Sequence, residues 1–371
     1  MIKVIAVFVF VLIFPAVALA QSISGVSGTI SDGQTITISG SSFGAGGTLI
    51  TWDNFESGSD GDFIENRVPP TGPTWDSPWV SGAIAPDISS YRSVSGDNSA
   101  RVCWNDGTTS NWASYFGWTG QGPYTSIYFT YYRYLAGGGG AWETGSINHK
   151  TAYVFGTVSD HPQITVGATM NGGVWYETTN GGVGFIAPND LSGGAYLVSN
   201  STFNWDATKS VWQRWEVYAE INEPYSSSND VFQSFHDYRL IADESSVRLA
   251  AEGAYDDFRI GHMDNSYAGY DSLYAYFDDI YISTSRARVE LGDNGVFSGC
   301  AKREIQIPTA WASGEITITV NQGTFQAEDS AYLFVVDADG SVSSGYAVTI
   351  GGAASSPTIT APTNLTATKV E

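Results

Sequence analysis

Cysteine is almost missing from this chain of 371 residues: Cys103 and Cys300 are the only two. That excludes a disulfide-dense scaffold and any Cys-rich zinc fold. Histidine is nearly as scarce, and His161, His236 and His262 stand singly, without the spacing of a zinc site. Cationic side chains are few, 16 Lys and Arg against 38 Asp and Glu, for a net charge of −22. Such a balance argues against nucleic acid and anionic membrane surfaces, and repels a polyanion unless a local basic patch compensates. The chain also lacks a phosphate loop and a dinucleotide fingerprint. It has no clear amphipathic helix, and after residue 20 no stretch is apolar enough to span a bilayer.

What is abundant points to β structure. Aromatics make up 14% of the chain, there are 42 glycines, and short alternating runs recur throughout, a pattern that predicts an all-β protein. At the N-terminus Lys3, an apolar run from Val4 to Phe14 and Ala18-Leu19-Ala20 before Gln21 read as a secretory signal over residues 1–20. The mature chain is therefore expected to be secreted, or displayed at the cell surface, without membrane insertion. Its acidity suits extracellular solubility, and where carboxylates gather it suits calcium. In an oxidising compartment two thiols usually pair, so a Cys103–Cys300 bridge is expected, the alternative being two buried thiols.

The segment GQTITISGSSFG (Gly33–Gly44) alternates Ile36 and Ile38 with Thr35 and Thr37, which is a half-buried strand followed by a tight turn. It resembles the opening of an IPT/TIG domain, a small immunoglobulin-like sandwich. The strands that should follow are absent until GEITITVNQG (Gly314–Gly323) and the hairpin AYLFVVDADGSVSSGYAVTIG (Ala331–Gly351), about 250 residues further on. Between them lie WDNFESGSDGD, SVSGDNSARVCW, SIYFTYYRYLAGGGG, VWQRWEVYAEINEP and SLYAYFDDIYIS. In order and character these resemble the strands of concanavalin A-like lectin/glucanase jelly rolls, the group that includes laminin-G and polysaccharide-lyase domains. The resemblance implies an all-β chain in which a jelly roll over residues 52–285 interrupts an immunoglobulin-like sandwich formed by 21–51 and 286–351. Residues 352–371 read as a linker ending in PTNLTATKV, which resembles the first strand of a fibronectin type III domain.

Relatives of the jelly roll often hold a structural calcium between first and last strands, which here implies Asp53, Glu56 and Asp278 as ligands. On Val211–Ile221, Trp215, Val217, Ala219 and Ile221 form a core face, while Trp212, Arg214, Glu216, Tyr218 and Glu220 form a polar-aromatic one. Rings stack on the C–H faces of sugars and Arg bonds hydroxyls or a carboxylate, so Trp212, Arg214, Tyr218 and Tyr153 are the expected polysaccharide contacts. A lyase would instead use His149, Lys150, Tyr153 and Arg214. A family 16-type glycosidase strand is a poor match, because Tyr218 stands where its central Asp would be. Glycan binding or adhesion, a lyase or hydrolase, and a spacer with no ligand all remain open at this point, as do the identity of the glycan and the oligomeric state.

Overall fold

The computed structural model describes residues 21–352 apart from 82–83, 106–112, 138–150, 157–163, 168–182, 188–195, 201–209, 225–226, 248, 250–253 and 264–272. Residues 1–20, read above as an expected export signal, His149, Lys150, His161 and the segment after Gly352 lie outside the described residues. Within them the chain is all-β, with one 3-10 turn at Phe297–Gly299 and no helix long and apolar enough to cross a membrane.

A large antiparallel sandwich holds most of the strands. One sheet runs in the order β15 (Arg239–Val247), β14 (Asp230–His236), β13 (Trp212–Glu220), β8 (Ser126–Gly137), β17 (Leu273–Ser283), β6 (Ser99–Asn105), β5 (Asp87–Ser89). A further strand, β3 (Leu49–Asp53), replaces β6 beside the second half of β17. The facing sheet runs β12 (Tyr196–Asn200), β11 (Val183–Ala187), β10 (Ile164–Gly167), β9 (Ala152–Gly156), β16 (Tyr255–Met263), β7 (Ala113–Trp118), β4 (Asp76–Ser81). Alternate residues of both sheets fill the space between them, among them Phe116, Trp118, Phe129, Tyr131, Trp215, Val217, Phe258 and Phe277.

A second, smaller core is assembled from both ends of the described chain. One sheet is β1 (Ser22–Ser27), β2 (Thr35–Ser41), β21 (Glu315–Thr319), β20 (Ile307–Ala312), and the other is β19 (Arg303–Ile305), β18 (Arg288–Gly292), β22 (Ser330–Val336), β23 (Tyr346–Thr349). Ile36 sits opposite Ile318 and Ile38 opposite Ile316, so the four isoleucines face one interior with Phe43, Leu291 and Leu333. A third cluster, Trp52, Tyr128, Tyr218, Tyr281, Ile305 and Ile307, joins the two units.

Strands β13 and β17 are buried along almost their whole length rather than on alternate residues. One face of each meets the large core, and the other lies under the smaller unit. Continuous burial is the mark of a strand covered on both faces.

The Cys103–Cys300 bridge expected from the sequence is not formed. Cys103 is buried on β6 opposite Tyr274. Cys300 follows the 3-10 turn of the smaller unit, where its thiol points at the carbonyl oxygens of Asn294 at 3.4 Å and Val296 at 3.6 Å. The two sulfurs are thus held in separate packing environments. Denatured without reductant, the protein should take up alkylating reagent at both thiols, and its melting temperature should be the same with and without reductant. An intact mass two hydrogens short of the reduced value would contradict this.

Candidate functional site

The alternation expected for β13 is present, but the middle of its polar face does not open to solvent. Arg214 and Glu216 are each about 1% exposed. They meet Arg288, Glu290 and Arg303, which the smaller unit presents from β18 and β19. Arg214 Nη1 donates to Glu290 Oε2 at 3.2 Å and to the Arg303 carbonyl at 2.8 Å, and its Nε donates to Thr130 at 3.1 Å. Arg288 donates to Glu290 at 2.5 Å and to Glu216 at 3.5 Å, and Arg303 lies 3.2 Å from Glu290. The Tyr128 hydroxyl donates to Glu216 Oε2 at 2.7 Å. Burial alone would raise the Glu290 carboxyl, but the three guanidinium groups outweigh it and hold it well below its ordinary range. Tyr218 shares this face, 6% exposed, with the Arg286 guanidinium 4.9 Å over its ring. Arg214 and Tyr218, expected to meet sugar, therefore belong to the joint between the units.

The expected calcium ligands each have hydrogen-bond partners of their own. Asp53 accepts from the Phe55 amide at 2.8 Å and the Trp75 indole at 2.7 Å and is ion-paired with Arg67. Glu56 accepts from the amides of Asp97 and Asn98 at 3.0 and 2.8 Å; a side chain on Gly96, at φ +59°, would strike this carboxyl. Asp278 accepts from the amides of Val94 and Asp279, both at 2.9 Å. As arranged, each carboxylate is met by its own N–H donors, and Asp53 also by Arg67. Among the described residues no group of three or more His, Cys, Asp or Glu is placed to hold a metal.

Asp278 and Asp279 instead form a bulge in β17, with Asp279 at φ +47°. Both are buried. Desolvation, with Glu304 next, pushes the Asp279 carboxyl up to about 8, and desolvation with Asp279 as neighbour raises Asp278.

Beyond the joint, the outer face of the eight-strand sheet carries an aromatic row. Trp212 is paired across to Tyr134, Tyr134 to Tyr276 and Tyr276 to Arg101, so the four side chains share one face across four strands. Trp212 is half-buried and meets Tyr134 edge-on at 5.5 Å. Tyr134 and Tyr276 lie beneath a loop that brings Tyr91, 70% exposed, to 6.4 Å from Tyr276. The Arg92 guanidinium rests 4.3 Å over Tyr134 and 4.9 Å over Tyr91. The outermost layer thus reads Tyr91, Arg92, Trp212. Two strand spacings, about 10 Å, separate Trp212 from Tyr276, which backs Tyr91. Of this row the sequence reading found Trp212 alone. The Y-x-Y alternation of Tyr132 and Tyr134 was a usable signal for Tyr134, whereas nothing local marks Tyr91 and Arg92 as folding over the sheet.

Tyr153 lies elsewhere, on β9 of the facing sheet, and does not meet Trp212, Arg214 or Tyr218. It is buried on the outer side of that sheet, paired across to Arg259 and stacked with Phe155 at 6.3 Å. Arg259 is held in two bonds to Asp257, lies 4.2 Å over Phe155, and donates to the Tyr115 hydroxyl at 3.3 Å. Burial raises the Tyr115 hydroxyl above its ordinary value, and Asp257 neutralises Arg259. The lyase set of His149, Lys150, Tyr153 and Arg214 is not assembled: Arg214 is in the joint and Tyr153 is on the opposite sheet.

No family model matches this chain, and no curated protein does. Its fold is similar to that of an endo-β-1,4-glucuronan lyase from Trichoderma reesei, at 14% identity over 57% of this chain and 91% of that one, TM-score 0.41. It is also similar to domain 4 of an extracellular GH43 arabinanase from Geobacillus stearothermophilus, solved with arabinotriose, at 10% identity over 64% and 93%, TM-score 0.39. A botulinum neurotoxin DC binding domain solved with rat synaptotagmin II matches at 8% identity over 78% and 71%, TM-score 0.41. Likeness this slight carries no inference about ligand or chemistry.

Two pH behaviours of opposite sign follow. Glu290, depressed in the fold, contributes stability that is present above its unfolded value of 4.5 and lost as the pH falls. Glu290→Gln should lower the urea-unfolding free energy at pH 7 by about 3–5 kcal/mol, a deficit that narrows below pH 4.5. Asp279, raised in the fold, weighs against folding as the pH climbs from 3.8 through about 8. Asp279→Asn should therefore raise the melting temperature at pH 9 by roughly 2–4 °C or more and leave it unchanged at pH 3.5.

Proposed function

We propose that this chain is an exported carbohydrate-interacting protein that binds a polysaccharide on the outer aromatic row of its large sandwich. In this reading the large unit is a concanavalin A-like jelly roll inserted in a discontinuous IPT/TIG-like domain, and the smaller unit fixes how much of the jelly-roll surface remains open.

The observation that carries the reading is the layer Tyr91, Arg92, Trp212, with two accessible rings on either side of a guanidinium and two further tyrosines as backing. Rings held this way present flat apolar faces at little conformational cost, which suits the C–H face of a sugar, while guanidinium N–H groups donate to hydroxyls. Among the described residues Arg92 makes no ion pair, and its guanidinium is held against Tyr134 and Tyr91. Binding is favoured over lyase chemistry because Arg214 lies in the joint, Tyr153 is on the opposite sheet, and Arg259 beside Tyr153 is neutralised by Asp257.

A hexasaccharide panel tests this: cellohexaose, xylohexaose and arabinohexaose beside hexagalacturonate and hexamannuronate, measured by calorimetry. At least one member should bind, with weak affinity that rises with chain length. Trp212→Ala and Tyr91→Ala should each weaken it about fivefold, at about 1 kcal/mol per ring, with the circular dichroism unchanged. If no member binds, the chain is a spacer and the reading fails.

A further inference from the structure

The geometry points to a second part of the binding site that both units build together: a subsite for one neutral sugar residue in the cleft where the aromatic row meets the smaller unit. This rests on the glycan-binding reading above and extends it. Trp212 lines a cleft of 480 Å³ together with Ser298, Cys300 and Ala301, from the segment just before β19. The volume falls in the range of ligand clefts, roughly 300–1,000 Å³. The floor and rim come from the hairpin turn between β14 and β15, with Asp237 and Arg239 as its charged groups.

That turn is strained in a way the fold must support. Asp237 has φ +44° and Tyr238 φ +67°, both left-handed, in a two-residue turn that ordinarily takes Asn-Gly. A tyrosine in this region is uncommon, and such strain persists only where neighbours over-determine it. Here the neighbours are residues of the joint. Tyr238 is flanked by the guanidinium groups of Arg214 at 5.3 Å and Arg303 at 4.7 Å. Its hydroxyl donates to the Arg303 carbonyl at 3.1 Å. The Asp237 carboxylate accepts the Arg214 amide through Oδ1 at 2.9 Å and remains about half exposed. Docking of the smaller unit therefore pins Tyr238 inward and leaves Asp237 at the cleft rim.

The chemistry of the lining sets the ligand class. The indole of Trp212 offers a stacking face, Asp237 accepts hydroxyl protons, and Arg239 and Ser298 donate. One carboxylate and one guanidinium leave the lining with no net charge, so a neutral ring is bound without desolvating an uncompensated charge, whereas a uronate would face Asp237. The sugar chain continues from this cleft across Arg92 to Tyr91.

Ser298 and Ala301 are exposed small residues on the smaller unit, so each can be enlarged without touching a core. Calorimetry of Ser298→Trp and Ala301→Trp against cellohexaose, xylohexaose and arabinohexaose, beside Tyr91→Ala, separates the two levels. Both blocking variants should weaken whichever neutral hexasaccharide the wild type binds by about tenfold, the loss of one or two hydrogen bonds. If Tyr91→Ala weakens binding and both blocking variants bind like wild type, the subsite is overturned and the aromatic row stands. Wild-type binding of hexagalacturonate without any neutral hexasaccharide also overturns it. If no hexasaccharide binds wild type, the glycan reading itself falls and the subsite with it.

Discussion

Three guanidinium groups and two carboxylates buried between the units are the constraint on which the rest depends. Arg214 and Glu216 from one side, and Arg288, Glu290 and Arg303 from the other, reach mutual distances of 2.5–3.7 Å while almost wholly removed from water. Charges taken out of water are tolerated only when paired with good geometry, so neither half of this array is stable with its partner missing. A small shift of one unit against the other would strand several charges at once. The array adds little net stability over an apolar contact of similar volume, but it admits one relative placement.

That placement decides where a ligand has room. With the smaller unit seated on the middle of β13, β8 and β17, the open part of the outer face is its margin, where Trp212 and the Tyr91–Arg92 loop lie. The same seating holds Tyr238 between Arg214 and Arg303 and so shapes the cleft beside Trp212. The bulge at Asp278–Asp279 works the other way, since its buried carboxyls prefer to stay protonated and so oppose docking as the pH rises.

Much of the fold was legible in residue patterns. Ile36 and Ile38 against Ile316 and Ile318 carry a period of two, which is enough to identify strands with one buried face. On β13 the assignment of Trp215, Val217 and Ala219 to the core and of Arg214, Glu216 and Tyr218 to the other side agrees with the structure. What such a pattern cannot carry is the identity of whatever covers the second face. Arg and Glu on a strand look alike whether they meet solvent, sugar or another set of charges, and Arg288, Glu290 and Arg303 lie more than 70 residues away. Tyr153 was misplaced for a related reason: an outer face was recognised correctly, but two sheets each have one. The partners that Cys300 and the carboxylates of Asp53, Glu56 and Asp278 take are set by the fold, which spacing along the chain does not report.

Hydroxyl-radical footprinting of the intact protein, read residue by residue by mass spectrometry, tests the central claim most directly, because it ranks side chains by access to solvent. Tyr91 and Trp212 should oxidise readily, while Tyr128, Tyr132 and Tyr218 should be protected to the level of the core residue Tyr131. Oxidation of Tyr128 and Tyr218 as fast as that of Tyr91 would mean that the polar face of β13 is open, and would contradict the account.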